Sequence, residues 1–271
     1  VSSAPFADEL LATVQASPAA AVGAHDKDTW VGLFATYGQV NDPVGSRPHI
    51  GESAIGKFYD TFIAPNTIVF DVENDVVAGM SVLRDLTIHT TMSTGVTMHI
   101  PMHLRYDVVE DGPASSLKID RLFAYWELRA MISQLLGSGG DGLLASAKLG
   151  PQLLKNQGLN GVLGFMRGLK GVHAAGKQRV QELTAALAAR DIPTVTTVLA
   201  PEAALSLDGV SEASLAEFAS AASSLTVDKL LAAGPSVSAT VHLGNRRGIG
   251  LFEFSDNSAA PGTLASVRLY F

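Results

Sequence analysis

Twice along this chain, segments with helical spacing give way to a longer run of β-branched alternation. That order constrains the fold more than any other feature. Residues 7–15 put Leu10, Leu11 and Val14 on one helical face. A second helix starts near Asp26 and Asp28, whose side chains suit an N-terminus, and buries Trp30, Leu33 and Phe34. Pro43, Gly45 and Pro48 punctuate a loop, and Ser53 caps a third helix carrying Ile55, Phe58, Tyr59 and Phe62. Strand patterns then cover 68–72, 82–92, 96–106 and 117–126. Later, 177–190, 192–199 and 211–220 are helical, followed by strands at 225–231, 236–243, 247–254 and 263–271. Helices first and strands afterwards predict an α+β fold on antiparallel sheets. Two local matches fall in the same order within each block. Val77-Ala78-Gly79-Met80-Ser81-Val82 stands beside Ala232-Ala233-Gly234-Pro235-Ser236-Val237, and Arg121-Leu122-Phe123 beside Arg268-Leu269-Tyr270. A duplication is the simplest source of both.

The length of 271 residues allows one large domain or two small ones, and the repeat favours two. Net charge divides unevenly: −8 over 1–126, +3 over 127–176 and −2 over 177–271. The middle stretch is rich in Gly, Leu and Val, has no acid between Asp141 and Glu182, and holds too many glycines for long helices. Its apolar pairs, Leu153-Leu154, Val162-Leu163 and Phe165-Met166, suit short amphipathic helices. Packing across the domain interface, with solvated lysines, outweighs membrane contact for this connector; lidding the first cavity is a variant. The expected domains are therefore 1–128, a connector at 129–176 and a second domain at 177–271.

The absence of cysteine excludes disulfides, thiolate zinc sites and thiol catalysis. An acidic chain without a basic, aromatic-studded stripe argues against nucleic acid. No apolar run approaches the roughly 18 residues of a spanning helix. Val1-Ser2-Ser3-Ala4 lacks a basic start and an apolar signal core, so the expectation is a mature cytoplasmic protein.

The most informative stretch is Asp42-Pro43-Val44-Gly45, then His49-Ile50-Gly51-Glu52 and Phe58-Tyr59, with Ala124-Tyr125-Trp126 at the end of the first block. Together these resemble the ketosteroid isomerase branch of the nuclear-transport-factor-two-like (SnoaL-like) superfamily over about residues 5–128, and more weakly over 177–271. The resemblance implies two tandem cones, each with N-terminal helices on a curved antiparallel sheet around an apolar cavity. It also implies an internal pseudo-dimer, or a homodimer, through the sheet faces. Asp42 matches the family's proton-shuttling base, a carboxylate at a cavity mouth that can reach an acidic C–H. Tyr59 matches a supporting tyrosine and Trp126 a cavity-lining residue. The family's oxyanion donors have no counterpart: its tyrosine falls near 17–19, and its acid at Met102. Asp208 is the nearest counterpart of the base in the second domain, one residue out of register and without the proline, and is expected to be silent.

Other candidates resolve on pattern. His99 and His103 lie on a strand, where four residues span roughly 13 Å, too far for one ion. Met98, Ile100, Met102 and Leu104 share the opposite face. Gly137-Ser138-Gly139-Gly140-Asp141-Gly142 satisfies the dinucleotide glycine pattern without the parallel unit it requires. The reading is a hydrophobic steroid- or polyketide-like ligand in the first cavity, with Asp42 as base. Phe58, Tyr59, Met80, Met98, Met102 and Trp126 supply its lining, and no metal or cofactor is called for. If the chain is an enzyme, isomerisation is the natural chemistry, with a lyase or hydrolase on the same fold also open. The alternative is a non-catalytic carrier or interaction module.

Overall fold

Two mixed sheets organise the chain in a computed structural model that describes residues 4–22, 26–111, 116–256 and 262–271. The first comprises β1 (Phe34–Asn41), β2 (His49–Ile50), β3 (Thr67–Ala78), β4 (Ser81–Thr91), β5 (Thr97–Asp111) and β6 (Ser116–Tyr125). The second comprises β7 (Leu199–Ser206), β8 (Leu225–Ala233), β9 (Ser236–Leu243), β10 (Arg246–Phe254) and β11 (Leu264–Tyr270). The order β1-β6-β5-β4-β3 recurs as β7-β11-β10-β9-β8. Each sheet has one parallel pair, β1 with β6 and β7 with β11. Register shifts at Val72/Asn74 and Asp107/Val108 bend the first sheet.

The expected strands are present, but both parallel strands escaped the sequence reading. The second helix stops at Gly32 (α2, Lys27–Gly32), and Phe34 opens β1 rather than closing the helix. β1 buries only Phe34, Gly38 and Val40, so its alternation is faint; β7 begins Leu-Ala-Pro-Glu. Helix α1 (Ala4–Val22) is longer than expected, and α3 (Glu52–Phe58) is entered from Gly51 rather than capped by Ser53. α3 continues as a π-helical turn over Tyr59–Ile63. In the second block α6 (His173–Ala189), α7 (Ile192–Val198) and α8 (Leu215–Ala221) match the expected order, Asp191 and Ser214 serving as caps.

The middle stretch corrects the expectation of short helices only. It forms α4 (Leu128–Gly137) and α5 (Gly139–Met166), the latter 28 residues long and broken at Gly158 (φ 65°, ψ 177°). Gly158 therefore divides this stretch into helices at 139–157 and 159–166, the first longer than expected and the second short. Val1–Ser3 and the side chains of Lys148 and Leu153 lie outside the described residues. Among the described residues no helix is long and apolar enough to cross a membrane.

The sheets meet face to face. Val76, Leu83 and Tyr125 pack against Ile249, Leu251 and Tyr270, and a buried polar cluster lies beside them. The two matched hairpin turns behave differently at this seam. Gly79 (φ 57°) and Gly234 (φ 53°) both occupy left-handed backbone. A Cβ at Gly79 would meet only the Val210 side chain at 3.1 Å, whereas one at Gly234 would stand 2.5 Å from the Cα of Gly45. Gly79→Ala is therefore expected to cost about 1 kcal/mol for its backbone alone, and Gly234→Ala about 2–3 kcal/mol because two backbones must part. Equal urea midpoints for the two variants would contradict this contact.

Candidate functional site

The parallel pairing of β1 with β6 builds the site, because it makes both strands end on the same side. In register, Asn41 stands beside Phe123, so the residues just past the two ends, Asp42 and Trp126, come together. Trp126 Nε1–H donates to Asp42 Oδ1 at 2.6 Å. The loop holding Asp42 is pinned by Val44 N–H donating to Ala124 O at 2.9 Å and by Asn41 Nδ2–H donating to Ser46 O at 3.0 Å.

Asp42 faces a cavity of about 160 Å³ between the first sheet and its helices. Strand alternation supplies the sheet wall: Ile68 and Phe70 from β3, Ile88 and Thr90 from β4, and Met98, Ile100, Met102, Leu104 and Tyr106 from β5. The helical side contributes Ser17, Trp30, Phe58, Phe62 and Ile63, while Met131 from α4 and Phe165 from α5 close it. Phe58 stacks on Trp30 at 6.1 Å and tilts against Phe62 at 5.0 Å between centroids.

Burial in this apolar surround raises Asp42 from 3.8 to about 6, and the Trp126 hydrogen bond only partly opposes it. The same effect pushes the Tyr106 phenol up to about 12, with a hydrogen bond to Ser17 pulling the other way. Ser17 Oγ also accepts from Trp30 Nε1–H at 3.1 Å. The cavity thus holds one carboxylate and one phenol among aliphatic and aromatic walls, with Asn66 and Thr90 as further polar groups.

Of the expected site residues, Asp42, Phe58, Met98, Met102 and Trp126 line this cavity. Tyr59 does not: it is buried behind the wall, 5.6 Å from Trp30 between ring centroids, and its hydroxyl has no hydrogen-bond partner among the described residues. Met80 does not either. It sits half-exposed in the β3–β4 turn, because the strand ends before its alternation can reach the cavity. Sequence reasoning overlooked Tyr106, although it continues the Met98-to-Leu104 alternation, and discounted Ser17 for lacking an aromatic ring.

His99 and His103 do share the outer sheet face but meet different neighbours. His99 Nδ1 lies 2.6 Å from His89 Nδ1 across the strand pair, whereas His103 is buried against Ser238 and Thr240. Among the described residues no group of three or more His, Asp or Glu side chains could hold a metal ion. Asp208 closes its own turn, accepting from the Val210 and Ser211 backbone N–H groups, and these bonds hold it down at about 2.

No protein-family model and no curated protein matches the chain. Solved structures resemble a part of it. A Δ5-3-ketosteroid isomerase from Mycobacterium sp. is 26% identical, with 45% of this chain and 96% of that one covered, at a TM-score of 0.41. A Mycobacterium tuberculosis protein solved in complex with estradiol-17β-hemisuccinate is 25% identical, with 45% and 95% covered, at 0.40. An LEH-like epoxide hydrolase of M. tuberculosis is 16% identical, with 52% and 96% covered, at 0.40.

Proposed function

We propose that the first cavity binds an apolar, carbonyl-bearing small molecule of steroid- or polyketide-like character, and that Asp42 moves a proton beside that carbonyl. The observation that carries this reading is a carboxylate and a phenol facing one largely apolar cavity. Near neutral pH Asp42, with its value of about 6, is mostly ionised yet basic enough to take a proton from carbon. Trp126 occupies Oδ1, which leaves Oδ2 for the ligand. The proton leaves the carbon next to the carbonyl for Asp42 as the C–H electrons form the enolate, and returns to a different carbon of the same conjugated system. Tyr106 donates to the enolate oxygen, its hydroxyl oriented through Ser17, which in turn accepts from Trp30. This phenol would do the work of the family donors that have no counterpart at Met102 and residues 17–19.

The cavity is close to the about 150 Å³ that accommodates benzene in an engineered apolar core. That volume suits one ring, so a polycyclic ligand enters with the Phe62–Phe165 pair giving way. Helix α5 is then the element that admits it. On this reading the chain divides at 1–128, 129–176 and 177–271, with the second sheet as a ligand-free support derived from the same ancestor.

Tyr106→Phe keeps the ring and removes the donor. It is expected to lower kcat on a Δ5-3-ketosteroid by about 10²–10³-fold with KM little changed. A kcat within a factor of about three of wild type would take Tyr106 out of the chemistry. A carrier is the second reading, favoured by Met102 standing where the family has an acid: steroid would bind with a fluorescence change and never isomerise.

A further inference from the structure

Residues 154–170 present apolar side chains on two opposite sides. Inward, Phe165 stacks on Phe62 with ring centroids 5.3 Å apart and closes the cavity. Polar bonds fasten this side: Asn156 Nδ2–H donates to Asp60 O at 3.2 Å, Gln157 Nε2–H to Thr61 Oγ1 at 3.1 Å, and Arg47 N–H to Gly164 O at 3.0 Å. Gly164 lies so near that a Cβ there would stand 2.9 Å from the Cβ of Arg47.

Outward, Leu159, Leu163 and Met166 follow at i, i+4 and i+7, one stripe of a helix. They are 66%, 58% and 43% exposed, and Leu154 on the other side of the Gly158 kink is 53% exposed. The packing expected across a domain interface is therefore absent for these residues. A contiguous stripe of this kind marks a surface for something else. Its charge narrows the choice. Lys155, Arg167 and Lys170, which flank it in sequence, are exposed, and no acid stands between Asp141 and Glu182 in a chain of net charge −7. A second copy of the chain would bring the same positive charge to the same face, which opposes self-pairing. A basic helix with exposed leucines suits an anionic bilayer, its apolar stripe entering the acyl boundary while lysine and arginine meet phosphates.

We propose that residues 154–170 dock this protein on an anionic phospholipid surface. The short helix at 159–166 carries the docking stripe on one side and the cavity-closing Phe165 on the other. Docking therefore sets the mouth of the cavity against the bilayer, and an apolar ligand passes between lipid and cavity without crossing water. Docking stands on the outer face alone; the passage of ligand rests on the reading of the cavity given above.

Vesicle flotation of the full chain tests docking. Protein is expected to float with phosphatidylcholine vesicles containing phosphatidylglycerol and to stay behind with phosphatidylcholine alone. The pair Leu159→Glu and Leu163→Glu should cut the bound fraction at least about tenfold. Lys155→Gln, Arg167→Gln and Lys170→Gln together should weaken binding to anionic vesicles roughly a hundredfold, with far-ultraviolet circular dichroism unchanged in both sets. No flotation with anionic vesicles, or flotation indifferent to both sets, overturns the proposal. A concentration-dependent dimer dissolved by Leu159→Glu, without flotation, assigns the face to a second copy and overturns it too. Steroid binding in lipid-free solution is measured separately: its failure removes the cavity reading and the ligand passage and leaves docking to the flotation result.

Discussion

Asp85→Ala is expected to lower the unfolding free energy by about 3–5 kcal/mol, the largest stability loss among the substitutions considered. Asp85 is fully buried on β4, where the two sheets meet. Its Oδ1 accepts from Lys229 Nζ at 2.7 Å, and its Oδ2 from Thr240 Oγ1 at 2.7 Å and an Arg247 N–H at 2.8 Å. His103 Nε2 stands 3.4 Å away, and its Nδ1 lies 2.8 Å from Ser238 Oγ. Lys229 and Arg247 also reach Glu73, at 3.1 and 2.6 Å. Every cation and hydroxyl in this set comes from the second sheet, and every carboxylate from the first. Lys229 reaches the carboxylates from left-handed backbone (φ 40°) at a bulge in β8. Removing the carboxylate leaves Lys229 and Arg247 to share Glu73 and strips the Thr240 hydroxyl of its buried acceptor.

The pH dependence of this seam follows from its charges. Burial would raise Asp85, but His103, Lys229 and Thr240 hold it well below the ordinary carboxylate range. Its stabilisation is present above the unfolded value of about 4 and is lost as acidification approaches the lower folded value. Burial lowers His103 despite the pull of Asp85, so protonation of the unfolded chain below about 6.5 adds to the acid loss. Acid should therefore part the sheets before it unfolds either one, giving two calorimetric transitions in place of one. A double replacement, Asp85→Leu with His103→Leu, would still leave Lys229 and Arg247 short of a carboxylate, whereas adding Lys229→Met and Arg247→Met should recover much of the loss. Asp85→Ala with an unchanged urea midpoint would show that the cluster contributes nothing to the seam.

What could be read from the sequence follows signal strength in physical terms. The long strands β3 to β6 and β8 to β11 alternate over many residues with one face on a core, and alternation is what a sequence displays. The parallel strands β1 and β7 have few buried residues, and their pairing with the far end of the block is non-local. Yet β1 is what carries Asp42 to Trp126. The resemblance around Asp42 pointed to the carboxylate and the tryptophan without revealing how they meet. Tyr106 was legible but overlooked: it continues the alternation that puts Met98, Ile100, Met102 and Leu104 on one face. The seam cluster was beyond reach, since Asp85, His103 and Lys229 are scattered over almost 150 positions and look like ordinary surface charges until the sheets meet. The leucines of 154–170 misled in the opposite direction. An apolar residue between two domains suggests packing, but the kink at Gly158 and the polar bonds on the inner side turn Leu159 and Leu163 outward.

If Asp42 is the base proposed above, Asp42→Asn is expected to slow proton transfer and to stabilise the protein at the same time. General base catalysis contributes about 10²–10⁴-fold, and an amide cannot carry the proton, so kcat on a Δ5-3-ketosteroid should fall by that factor. The wild-type rate should rise with pH through a limb near 6, where Asp42 ionises. Stability moves the other way. The folded value of about 6 lies above the ordinary 3.8, so between these values the native state binds the extra proton and loses stability as pH rises. Above about 6 the ionised carboxylate costs the fold up to about 3 kcal/mol, the equivalent of roughly two pKa units. Asn keeps the acceptor for Trp126 and carries no charge, so that cost disappears. Asp42→Asn should therefore be more stable than wild type at pH 8 and equal to it at pH 3.5, a crossover that mere loss of a contact would not give. Trp126→Phe separates the two roles. Without its indole N–H the carboxylate rises further, the rate limb moves to higher pH, and the stability advantage of Asn grows. A variant that is less stable at every pH would place Asp42 in solvent rather than in the cavity. Undiminished turnover in a stabilised Asp42→Asn would leave the enclosure as a binding site and remove the base from it.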